Sequence, residues 1–182
     1  MTESSGSHGR VAGIVIALCR FRSGPQELPH SQALLVGLIV ASVLLDLVTG
    51  DALGVKEPLL ARTLMSMMLL LALCWIALAI RRLGHRYVQT ASALVACSIA
   101  FSLLILPLAF LFGEAPAAEA APTSTQMLIV WLGLGILVWK ISVDAHIVRQ
   151  AIESSWGLGF LLALSWAIAD FALSRVLFSG AG

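Results

Sequence analysis

The chain has 182 residues and a formal net charge of +1, with 59% hydrophobic and only 12% charged residues, where a soluble domain carries about 25% charged. It lacks the polar side chains to cover its own surface, so lipid must supply part of its solvent. No basic block or aromatic-interleaved basic patch is present, which excludes a nucleic-acid partner.

Residues 11–19, VAGIVIALC, form a short apolar run behind Arg10. It has the size of a signal-peptide core, but the following RFRSGPQELP offers no small-x-small cleavage pattern. A lipoprotein anchor is excluded because Leu18 stands where a small residue must precede Cys19. The run reads as a short interfacial or re-entrant helix on the cytoplasmic face, with Arg20 and Arg22 at the lipid phosphates. In SGPQELPHS, Pro25 and Pro29 predict an ordered, non-helical connection, and Ser31 is placed to cap the next helix. Residues 1–31 are thus a cytoplasmic N-terminal segment, and 32–182 a single transmembrane domain without internal repeats.

Five apolar runs follow, at 33–50, 59–80, 88–112, 126–143 and 156–178, each near the ~20 residues that cross a hydrocarbon core of ~30 Å. Stretches such as LLLALCWIALAI lack the alternation of a barrel. The expected fold is all-α, a polytopic bundle of five transmembrane helices. Ser92, Ala93, Ala96 and Ala100 predict that the third span is central, and Pro107 predicts a kink in its outer half. The Ala/Pro-rich stretch 114–124 reads as an external linker, with Thr123 to Thr125 capping the fourth span. Arg10, Arg20, Arg22, Arg81, Arg82, Arg86, Lys140 and Arg149 put eight of the eleven basic residues on one side, leaving Lys56, Arg62 and Arg175 on the other. The positive-inside rule then places the N-terminus in the cytoplasm and the C-terminus outside.

The most polar long stretch is WKISVDAHIVRQAIESSW, 139–156. At 100° per residue Asp144 and His146 project about 200° apart on a helix, so they cannot chelate one metal. His146, Arg149, Gln150 and Glu153 share a face, yet His146 and Glu153 are about 10 Å apart along the axis, beyond two ligand bonds to zinc. Ile141, Ala145, Val148 and Ile152 form the opposite, apolar stripe. The stretch reads as an amphipathic continuation at the cytoplasmic surface, flanked by Trp139 and Trp156 at the interface. Cys19, Cys74 and Cys97 have no C-x-x-C spacing, Met65, Met67 and Met68 are apolar fillers, and Gly133-x-Gly135 and Gly157-x-Gly159 permit close helix contact. No disulfide, metal, cofactor or catalytic constellation is expected, and the protein is read as non-enzymatic.

The costly polar residues lie inside the spans. Asp46 and Asp170 both fall roughly 20 Å from the cytoplasmic edge, and Arg62 and Arg175 approach the same depth, giving an intramembrane cluster of Asp46, Arg62, Asp170 and Arg175. A mid-membrane charge costs at least about 2.5 kcal/mol, so Arg62 is expected to reach one or both aspartates. The cluster is either a structural ion pair or a proton- or ion-linked site.

CRFRSGPQELPHSQALL and RYVQTASALVACSIAFSLLILPLAF, with Gly24 to Pro29, Arg86 to Thr90 and the I-L-P-L around Pro107, resemble small bacterial inner-membrane proteins of the Yip-domain family. The resemblance implies five spans, a cytoplasmic N-terminus, an external C-terminus and a bacterial cytoplasmic membrane. The resulting expectation is a scaffold or accessory protein whose partners are membrane lipid and a membrane or cytoplasmic protein. Its interaction face would comprise Arg20, Arg22, Arg81, Arg82, Arg86, His146, Arg149, Gln150 and Glu153. The alternative is a small transporter or ion-linked component built on the Asp/Arg cluster.

Overall fold

A computed structural model describes residues 3–54, 58–112 and 123–178. Six α-helices follow one another: α1 Glu3–Cys19, α2 Gln32–Ala52, α3 Leu59–Ile80, α4 Tyr87–Phe112, α5 Ser124–Ala151 and α6 Trp156–Phe178. Short 3-10 turns at Pro25–Glu27 and Gly84–Arg86 lead into α2 and α4. No strand occurs among the described residues. Five helices, α2 to α6, are long and apolar enough to cross a membrane, which fits a multi-pass membrane protein. Lys56 and residues 114–122 of the expected external linker lie outside the described residues.

Local sequence sets the helix ends. The Ser31 hydroxyl accepts from the Leu34 amide at 3.2 Å and starts α2. Thr123 and Gln126 exchange two bonds, of 2.9 and 3.2 Å, in a capping box that starts α5. At the opposite end of the bundle α1, α3 and α5 all finish in the same way, on a left-handed residue that is not glycine: Phe21 (φ 60°), Arg82 (φ 57°) and Glu153 (φ 52°). In each case the next amide reaches five residues back to a helix carbonyl, as in Arg22 to Ala17 at 2.8 Å and Leu83 to Leu78 at 2.8 Å.

The expected centrality of the third span holds. Residues 90–97 of α4 are buried without a break, as are 143–148 of α5. A helix with neighbours on one side buries only a stripe, so continuous burial means cover from every direction. The last cover comes from the N-terminal segment: Leu18 and Leu28 join Leu94, Val143, Ile147 and Val148 in one apolar cluster. Cys19 Sγ lies 3.8 Å from Cys97 Sγ, and the Trp139 indole donates to the Cys19 carbonyl at 3.0 Å. Cys97 is ten residues into α4, about 15 Å along its axis, so the end of α1 packs beside α4 and α5 well in from the start of α4. Elsewhere large apolar side chains face outward, Val176 at 79% and Ile80 at 76% exposure being extreme, as lipid-facing positions should.

α5 departs from expectation. It runs unbroken from Ser124 to Ala151 and does not leave the bundle near residue 143. Lys140, assigned from sequence to the cytoplasmic connection, is eleven residues from the helix end, about 17 Å inside. α6 packs closely on α5 because Gly159 has no side chain: a Cβ there would stand 2.7 Å from the Ala145 carbonyl oxygen and 2.8 Å from Arg149 Cβ. Gly133, Gly135 and Gly157 meet nothing within 4 Å, so of these four glycines close contact explains only Gly159.

Candidate functional site

A half-open cavity of about 630 Å³ lies between the helices, and all five apolar helices contribute to its wall. α2 and α6 both start at the basic end, so Asp46 and Asp170, each fourteen residues from its helix start, reach the same depth of about 21 Å. α3 runs the opposite way and brings Arg62, three residues from its start, towards that level from the far side. α5 adds Lys140 and Asp144, and α4 adds Ser98 and Ser102. Met67, Trp166 and Phe171 belong to the apolar part of the wall.

The polar groups are organised. Lys140 Nζ and Asp144 Oδ2 form an ion pair of 2.7 Å across one helical turn, with side chains 30% and 12% exposed. Asp46 accepts a hydrogen bond from Ser102 at 2.8 Å on one carboxylate oxygen and from Ser42 at 3.4 Å on the other. The other carboxylate oxygen of Asp144 and one of Asp170 are buried without a hydrogen-bond partner. Buried acceptors are normally hydrogen-bonded, so these two oxygens are the least satisfied polar atoms of the two side chains.

Three of the four residues of the expected intramembrane cluster thus share one cavity: Asp46, Arg62 and Asp170. Arg175, one turn and a residue beyond Asp170, is exposed and off the cavity wall. Sequence reasoning missed Lys140 and Asp144, having grouped Lys140 with the cytoplasmic basic residues and ended the span at 143. The available signal was their i,i+4 spacing inside apolar sequence, which puts a cation and an anion on one helix face.

The expected cytoplasmic face divides in two. Arg20, Arg22, Arg81 and Arg82 are exposed. On the polar side of the 144–154 stripe, by contrast, His146 is buried and Arg149 and Gln150 are partly buried, while Glu153 stays exposed. His146 is 4% exposed, its ring meets Phe21 edge-on at 5.4 Å between centroids, and its Nε2 lies 3.0 Å from the Ser23 carbonyl and 2.8 Å from the Gln150 amide nitrogen. Gln150 also meets Gln26 at 3.4 Å, and Gln89 donates to the Leu28 carbonyl at 2.8 Å. Arg86 pairs with Glu153 at 2.7 Å and bonds the Ala151 carbonyl at 3.5 Å, tying α4 to the end of α5. Arg149 is half-buried, with its Cβ against the Gly159 backbone. The surface-helix expectation fails here because the SGPQELP segment folds back over this face and replaces water as its polar partner.

Among the described residues no group of three or more His, Cys, Asp and Glu side chains is placed to hold a metal ion. No family model, curated protein or solved structure matches the chain.

Proposed function

We propose that the protein is a non-enzymatic, multi-pass transport component of the bacterial cytoplasmic membrane that holds a small charged solute in the cavity between its helices. The observation that carries this reading is the 630 Å³ cavity walled by three carboxylates and two cations at membrane depth. Ionisable side chains at that depth are expensive and concentrate on substrate and ion paths, and cavities of about 300–1,000 Å³ suit small organic molecules. A purely structural ion pair has no use for such a space. The five-span, Yip-like topology with a cytoplasmic N-terminus belongs to the same proposal, supported by the arginines gathered at the end where α1, α3 and α5 terminate. A scaffold role draws mainly on the exposed Arg20, Arg22, Arg81 and Arg82, since Arg86, His146 and Gln150 bond within the protein, Arg149 is half-buried and Glu153 is paired with Arg86.

The test is solute access. Ser66→Cys and Ser98→Cys place thiols on the cavity wall, where a membrane-impermeant methanethiosulfonate reagent should modify them well above the wild-type background. If neither is modified in protein that remains monodisperse, the transport reading fails.

A further inference from the structure

The charges facing the cavity do not balance. Asp46 on α2, Asp144 on α5 and Asp170 on α6 oppose Arg62 on α3 and Lys140 on α5, while α4 presents only hydroxyls, Ser98 and Ser102. Among the described residues two cations face three carboxylates, so full ionisation of this wall leaves one negative charge more than it has cations, in a medium that tolerates none cheaply. One positive charge repairs it. A proton does so, and so does a monovalent cation, but both together overshoot.

The cavity volume and wall decide which cation. At about 630 Å³ the space far exceeds that of a bare ion. Trp166 and Phe171 line the cavity with aromatic side chains, a residue type that attracts ammonium groups, and Met67 adds a polarizable apolar surface. Asp46 is the group suited to hold the alternative proton. Its two oxygens are met by Ser102 and Ser42, and a hydroxyl both donates and accepts, so the same two serines satisfy the carboxylate and the protonated acid.

We infer that the cavity takes an organic monocation, an ammonium-type head on a compact apolar body, and that this cation and a proton on Asp46 occupy the site in turn. The inference rests on the transport reading and gives it a stoichiometry of one proton released for each cation bound. Exchange follows from it: a carrier whose two ligands exclude each other moves them in opposite directions.

The test uses purified full-length protein in weakly buffered detergent solution, titrated with benzyltrimethylammonium, a permanent monocation, and with benzenesulfonate as its anionic counterpart. Expected are saturable binding of the cation alone, release of about one proton per cation bound, and an apparent affinity that weakens about tenfold per pH unit on the acid side. Asp46→Asn should abolish the proton release and the pH dependence, and Asp46→Glu should retain both, which separates a titrating role from a folding defect. Preference for the anion, or cation binding with pH-independent affinity and no proton release, overturns the inference. Absence of cation binding overturns it as well. If the Ser66→Cys and Ser98→Cys thiols are nevertheless modified, the broader transport reading survives that result.

Discussion

Replacing Lys140 by Met removes the cation from an ion pair whose carboxylate is almost wholly enclosed. Asp144 is 9% exposed as a residue and already has one oxygen without a partner, so the substitution leaves a buried anion with neither charge nor donor beside it. Breaking a buried pair in this way costs about 3–5 kcal/mol. Lys140 itself faces the cavity with 30% of its side chain accessible, and that partial wetting puts the expected loss at the lower end, about 3 kcal/mol. For a protein of this size the loss is a fall in Tm of roughly 6–12 °C. Thermal unfolding of purified protein in detergent, followed by circular dichroism or intrinsic tryptophan fluorescence, reads it directly. The decisive comparison is Lys140→Met combined with Asp144→Leu, which should recover most of the stability because two apolar side chains replace a desolvated pair at little net cost. A single substitution costing under about 1 kcal/mol, the range of exposed pairs, would refute the enclosed placement of Asp144, and so would a double variant no more stable than the single one.

Other outcomes follow from the same packing. Gly159→Ala places a Cβ against the Ala145 carbonyl and Arg149 and should destabilise by about 1–3 kcal/mol, whereas Gly157→Ala, with open space around it, should not; melting temperatures of the two variants decide the point. Arg82→Gly relieves a left-handed backbone at an exposed helix end and should leave stability unchanged or raise it by up to about 1 kcal/mol, so a marked drop in Tm would argue against that terminus. Glu153→Gln removes a pair whose carboxylate is 63% exposed and should cost less than about 1 kcal/mol. Mild oxidation should join Cys19 to Cys97, whose sulfurs are 3.8 Å apart, and leave Cys74 free; peptide mapping under non-reducing conditions checks this, and a Cys74-containing bridge would contradict the seating of α1.

Each of these predictions depends on contacts between residues far apart in the chain, and that is where sequence reading stops. Composition and apolar run length determined by themselves that the chain is helical with five runs long enough to cross a membrane, because a stretch of twenty-odd apolar residues has few other stable forms in lipid. The caps at Ser31 and Thr123 were equally legible, since a hydroxyl three residues ahead of an amide is a local event. So was the common depth of Asp46 and Asp170, which follows from counting residues along parallel-running helices at a fixed rise. The tertiary structure alone decided that Lys140 and Asp144 belong with them, that Arg175 does not, and that His146 is buried. In each case what packs around the residue decides whether it meets water, lipid or protein. For Lys140 and Asp144 it is the wall of the cavity shared by α2 to α6, and for His146 it is a segment more than a hundred residues earlier, Leu18 to Leu28, folded back against α4 and α5.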